Sequence, residues 1–470
     1  MPTGPAGAPN GLVTGGADAG SPIRRGDGAM TDDDGTAQGA GTPVATGGLL
    51  DRRRFGQLLL LGLRLANAAA KFALALHMVR HLGLADVGIY GLLVGAGTAV
   101  PGIFGFGVND WTARRLVGMP RARAIPIVVT RFALSAAIQV VLQAIGWSLW
   151  AAGMVDLPLS TALLIAAILL LEHLAVDDYY LEIARERATF ANLQLFLRAG
   201  AWPPVVIVWG WIDPAARSLD VVLAGWLTGL VVMWVAVAVR GLGGGRRHHL
   251  GLDFDHLVRA LRGGVPFWIA DVGGSGTLYL DRFIVSGFLG LETTGVYTFF
   301  WSFANVVHTL SVNGIVQPQV PRLIAAERGG DPRAFVAERD RLVRESAGWA
   351  AILAFGAGVA LPILLPWFGR PQLSENLVIF WVILAATAAR IGYDGLGFVL
   401  YALHRDRTIA TTALAAVVAT GAVDVVMVPT FGLPGAAAAY LLVGVGLFLV
   451  RRRLVAAEID RRTVAAEAAQ

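Results

Sequence analysis

Arg64, Asn67 and Lys71 recur at i, i+3 and i+7, a spacing that puts two cations and an amide on one helix face. Lys71 is the only lysine in the chain, and the apolar run around it, residues 56–80, offers no acid to neutralise either cation. Three further apolar runs repeat the pattern. Arg131, Ser135, Gln139 and Gln143 recur every four residues. Asp271, Ser275 and Arg282 share a face, with Asp281 beside Arg282. Tyr297, Trp301, Asn305 and His308 share another. A basic side chain at the centre of a membrane span costs about 2.5–3.5 kcal/mol on insertion scales, so such residues are expected to face a wet cavity or one another. Guanidinium binds phosphate through paired hydrogen bonds and a lysine adds a point charge. The chemistry expected of a cavity lined by Arg64, Lys71 and Arg282 is therefore recognition of an anion. Asn67, Asp271, Asp281, Asn305, His308, Arg390 and Asp394 are the further polar candidates for its wall. Arg390 and Asp394 stand at i, i+4, where a plain ion pair is the competing reading. Arg131 and Arg198 are expected to snorkel to the membrane surface. Glu172, His173, Asp177 and Asp178 are expected to be solvated at the end of their span.

The elements that position these residues follow from composition. The chain has 470 residues, a mean hydropathy of +0.63 and only 15% charged residues, where soluble domains hold about a quarter. Runs of about 20 apolar residues, each enough to cross a hydrocarbon core, recur along it. The class expected is an all-α polytopic membrane protein. Twelve spans are placed at 56–80, 87–109, 124–149, 158–176, 190–211, 219–240, 264–287, 293–317, 346–367, 377–402, 408–428 and 433–450. With both termini in the cytoplasm, the outer segments hold only Arg80, Arg217 and Arg370, and most of the other arginines are cytoplasmic. That bias accounts for the net charge of +5 and argues against a nucleic-acid partner. The inner segment 318–345 is expected to be an amphipathic helix on the membrane surface. Residues 1–48 are too poor in large apolar side chains to fold and are expected to be disordered, with Met30 an alternative start.

Catalytic signatures are missing. The chain has no cysteine, no glycine-rich phosphate loop around its lysine, no His-Glu-x-x-His and no nucleophile elbow. His248, His249 and His256 with Asp253 and Asp255 match no metal spacing. No enzyme activity, metal or cofactor is expected.

An internal duplication organises the chain. Leu82-Gly83-Leu84, Gly88 and Tyr90 return as Leu289-Gly290-Leu291, Gly295 and Tyr297, each pair 207 residues apart, and the same offset pairs Arg115 with Arg322. Six spans precede the second copy, so the halves enter the membrane in the same direction, an arrangement that places substrate sites between them. The expected organisation is a tail at 1–50, a six-helix bundle at 51–240, a linker at 241–263, a second bundle at 264–452 and a tail at 453–470.

The run from Arg80 to Tyr90, followed by Asn109-Asp110 and Arg114-Arg115, resembles the opening of bacterial polysaccharide exporters. So does Gly264-Val265-Pro266, then Asp281-Arg282, then Leu289-Gly290 with Gly295-Val296-Tyr297. Together they resemble the polysaccharide-biosynthesis (O-antigen flippase, Wzx-like) branch of the multidrug/oligosaccharidyl-lipid/polysaccharide exporter superfamily over about residues 50–450. The resemblance implies two six-helix bundles around a central cavity in a bacterial cytoplasmic membrane, working by alternating access. Its cargo would be an undecaprenyl-diphosphate-linked oligosaccharide, and its expected partners are membrane lipids, a polysaccharide polymerase and glycosyltransferases. The alternatives are a drug/cation antiporter of the same superfamily, which would want acids in the cavity, and a lipid II flippase, a family that resembles fourteen spans. A polymerase or ligase would need a larger outer segment than any present here.

Overall fold

A computed structural model describes residues 47–242 and 251–468; the side chains of 47–61, Arg64, 121–122, 241–242 and 465–468 lie outside that description. The tail at 1–46, and with it Met30, lies outside the described residues, as do His248 and His249 of the linker. Among the described residues the chain is helical and has no strand. The first half comprises α1 (Gly47–His81), α2 (Leu84–Phe104), α3 (Val108–Leu116), α4 (Arg121–Ala151), α5 (Leu159–Ala184), α6 (Ala188–Ala199), α7 (Trp202–Ile212) and α8 (Leu219–Leu242). The second comprises α9 (Phe254–Ser311), α10 (Gln317–Arg328), α11 (Pro332–Phe368), α12 (Pro371–Glu375), α13 (Leu377–Ala402), α14 (Asp406–Phe431) and α15 (Leu433–Ala468). Among the described residues 10 helical stretches are long and apolar enough to cross a membrane, and the longest, Phe254–Arg328, bends inside α9 at Gly290, where φ is 81°. Only glycine takes that conformation without strain, so the stretch crosses twice. With α1, whose apolar run spans 56–80, this makes twelve crossings in two six-helix bundles. Val140, Ile145, Trp211, Ile363 and Val378 stand exposed on the outside, as a face turned to lipid requires.

Local departures from the expected spans have local causes. The second span breaks after α2, where Phe106 and Gly107 take positive φ of 52° and 65°, and α3 follows as a separate short helix. The fifth breaks between α6 and α7, because Pro203 and Pro204 supply no amide hydrogen to continue the helical ladder. The surface helix expected at 318–345 is not there. A π-helical turn at Val312–Val316 runs α9 into α10, the chain reverses at Gly329–Gly330, and α11 continues unbroken into its membrane span. Leu323, Phe335 and Leu342 bury one face of this hairpin against Leu396, Val399 and Leu400. Its apolar stripe finds a protein partner instead of a lipid one. The linker is likewise helical from Phe254 onward.

The duplicated turns meet each other. A Cβ at Gly88 would fall on the carbonyl oxygen of Leu291, and a Cβ at Gly295 on that of Leu84, the same contact made twice with the halves exchanged. From there α2 runs antiparallel to the first part of α9, with Gly95 against Tyr279 and Phe283, Gly102 against Ser275, and Gly107 against Gly264. Between the turns and the level of Lys71 the bundle is packed with phenylalanines. Phe72 meets Phe303 edge-on at 4.8 Å, and Phe299 touches Phe303 and Phe368 at 5.2 and 5.3 Å. Phe299, Phe300 and Phe380 are fully buried, each worth about 1.5–3 kcal/mol of transfer energy.

Candidate functional site

Between the halves lies a cavity of about 700 Å³, reaching from Lys71 and Arg198 to Gln317 and Arg451. That is within the usual range for small-molecule sites. Lys71 sits on α1 eleven residues before Leu82, about 16 Å below the closed end. It is surrounded by the bundle yet exposed, because it opens onto the cavity.

On the first-half wall, α5 brings Glu172 into an ion pair with Arg198 of α6, and Trp226 donates its indole N–H to the same carboxylate at 3.4 Å. Lys71 makes no ion pair within 4.0 Å among the described residues. Behind this wall lies a network the sequence reading placed at the membrane surface. Arg131, 2% exposed, donates to Asn109 at 2.6 Å and to Asp177, 0% exposed, at 2.7 Å. Ser135 donates to Asp177, Gln139 meets His173 Nδ1 at 2.9 Å, and Gln143 donates to the Ala166 carbonyl at 2.8 Å. Gln194 donates to Asp178 at 2.6 Å. Snorkelling of Arg131 and Arg198 and solvation of Glu172, His173, Asp177 and Asp178 are therefore corrected. The four-residue repeat on α4 is read by α5, and neutralising charges across two helices is cheaper than carrying either to water.

On the second-half wall, His308 Nε2 lies 2.7 Å from Asp394 Oδ2, and Arg390 Nε lies 3.9 Å from the same oxygen. The expected Arg390–Asp394 pair is thus shared, with histidine the nearer partner. Arg451 of α15 donates to the Tyr393 carbonyl at 3.0 Å and to Thr412 at 3.3 Å; no carboxylate lies within 4.0 Å of it among the described residues. Tyr180, Tyr279 and Tyr393 also face the cavity.

Of the residues the sequence singles out, Lys71, Asp271, His308, Arg390 and Asp394 line this cavity. Asn67 packs against Gly200 instead. Asp281 is 2% exposed, accepting from the Tyr297 hydroxyl at 2.7 Å and the Arg282 backbone N–H at 2.8 Å. Asn305 is half-buried and outside the lining, and the side chain of Arg64 lies outside the described residues. Arg282 is corrected outright: it is 1% exposed, with its guanidinium 3.7 Å above the Trp301 ring and off the cavity wall. The Trp301 ring, 19 residues on and across the Gly290 bend, gives it a cation–π contact. The wall is also not uniformly cationic, since Lys71, Arg198, Arg390 and Arg451 face Asp110, Glu172, Asp271 and Asp394. Sequence reasoning missed Arg198, Glu172 and Arg451. Arg451 opens an Arg-Arg-Arg run that reads as an orientation signal, and only its exposure of 6% distinguishes it from its exposed neighbours. His256, the one described histidine of the linker cluster, is buried beside Thr112 and Trp111.

No family model matches the chain, and neither does any curated protein. Solved structures do match in fold. Lipid II flippase MurJ in an inward closed conformation superposes with a TM-score of 0.68 at 11% identity, over 87% of this chain and 90% of that one. An inward-facing multidrug resistance MATE family transporter of the MOP superfamily superposes at 0.63 and 14% identity, over 83% of this chain and 95% of that one. An outward-facing structure of such a transporter gives 0.55 at 15% identity, over 86% and 95%. The chain therefore has the fold of MOP-superfamily transporters.

Proposed function

We propose that this protein is a flippase that moves an undecaprenyl-diphosphate-linked oligosaccharide from the cytoplasmic to the outer leaflet by alternating access. The observation that carries the reading is the pair Lys71 and Arg451, one from each half, on the wall of one polar cavity: among the described residues neither has a carboxylate within 4.0 Å. An anionic passenger that meets each in turn would supply the counter-charge and draw on both halves. Tyr180, Tyr279 and Tyr393 supply apolar ring bodies with polar tips, the surface a sugar presents in complement. In this reading both termini are cytoplasmic, the closed end at Leu82–Leu84 is the outer one, and the protein sits in a bacterial inner membrane.

The test is deletion of the gene in its native host. Loss of surface polysaccharide with build-up of undecaprenyl-diphosphate saccharides on the cytoplasmic leaflet is expected. Normal polymer without build-up overturns the reading. The four wall carboxylates favour a second reading, a drug/cation antiporter, in keeping with the multidrug resistance MATE family transporters that share the fold. That reading predicts raised susceptibility to cationic drugs and unchanged polymer in the same deletion strain.

A further inference from the structure

We propose that Arg370 is a latch that holds the closed end of the cavity shut, broken and remade in each turn of the access cycle. The inference rests on the alternating-access reading above but not on the identity of the cargo. Arg370 follows α11 directly, after Gly369 at φ 63° turns the chain. Its side chain crosses to the first half, where Nε donates to the Val79 carbonyl at 3.1 Å and Nη2 donates to the Leu82 carbonyl. Val79 lies in the last turn of α1 and Leu82 just past its end, where carbonyls have no intrahelical partner and carry the negative end of the helix dipole. A second contact runs the other way: Arg80 of α1 lays its guanidinium 3.8 Å over the ring of Trp367 from α11. Two of the three arginines that the charge bias leaves outside are thus the ones that join the halves there.

The chemistry of the contact makes it reversible. Arg370 meets backbone carbonyls at the rim, and it is only half-buried. When the halves part, water can solvate both sides, so no uncompensated buried charge remains. The contrast is with Arg131 and Asp177, which are buried within one half and could not be separated so cheaply. Beneath the latch the reciprocal contacts Gly88–Leu291 and Gly295–Leu84 complete the seal, and each admits no side chain.

The chain has no cysteine, so a single reporter needs no background removal. Thr98→Cys lies exposed on the cavity wall. A membrane-impermeant maleimide is applied to either face of oriented vesicles holding the full-length protein. With the latch intact, the latch face should label slowly. Adding R370A is expected to raise that rate about tenfold, as a population shift toward the open state. R370K, whose ammonium lacks the fork that spans two carbonyls, should fall between. Labelling from the latch face that is the same in R370A as in the parent overturns the proposal. Should R370A not fold, R370Q, which keeps a polar side chain but loses the guanidinium, must produce the same rise, and an unchanged rate there overturns it equally. The readout needs no cargo, so a wrong passenger and a wrong latch give different results: polymer export fails the first, sidedness of labelling the second.

Discussion

The two seams that join the halves are images of one another under the duplication, yet they pack differently. In one, α2 lies along the first part of α9 from Gly95 to Gly102, with glycines at these points of close approach. In the other, α1 meets the part of α9 after Gly290 far more sparsely, with Phe72 on Phe303 as the principal ring contact. Applying the 207-residue offset to Gly91, Gly95 and Gly102 gives Thr298, Ser302 and Thr309. Small residues let backbones touch; hydroxyl and branched side chains hold them apart. A duplicated fold has thus acquired a tight seam suited to a hinge and a loose one suited to movement, with Lys71 on the helix beside the loose one.

The largest expected effect is where the turns meet, at the end of the tight seam. Gly88→Leu would drive a side chain into the Leu291 carbonyl, and overpacking of this kind costs about 1–3 kcal/mol or more. Folded protein recovered after solubilisation should fall sharply, and the thermal midpoint of what remains should drop. If it does not, the tight seam is not tight. Next come paired cysteines. Oxidising Phe72→Cys with Phe303→Cys should stop transport, whereas Gly95→Cys with Tyr279→Cys should crosslink and leave most of it. Equal loss at both seams would erase the comparison. Lys71→Ala and Arg451→Ala should each lower export by about tenfold, the loss of one charge-assisted contact to the passenger, with the protein still in the membrane. Normal export from Lys71→Ala would detach the loose seam from the cargo path. The smallest effect separates neighbouring glycines on α9. Gly274 has open space where a Cβ would go, so Gly274→Ala should stabilise by about 0.5–1 kcal/mol. Gly276 faces Val417 at close range, so Gly276→Ala should destabilise, read as thermal midpoints moving in opposite directions.

Particular residues show how far the sequence could be read. Lys71, His308, Arg390 and Asp394 were visible because a charge inside an apolar run is conspicuous and i, i+4 spacing names a face. Arg282 was equally conspicuous and belongs elsewhere, because periodicity says which residues share a face and not what the face meets. The buried network behind the cavity failed for the same reason: Arg131 and Asp177 are 46 residues apart in the chain. Arg451 was hidden by the two arginines that follow it.

The sequence by itself determined the class, the twelve crossings and the duplication. Hydropathy and repeat offset are properties of one chain read along its length, and the bilayer enforces them span by span. Only the tertiary structure decided which described cations lack a nearby carboxylate, which seam of the duplication packs tightly, and that Arg370 bridges to α1. Those depend on side-chain volume at helix seams and on distances between residues remote in sequence. Composition and spacing along one helix carry no record of either.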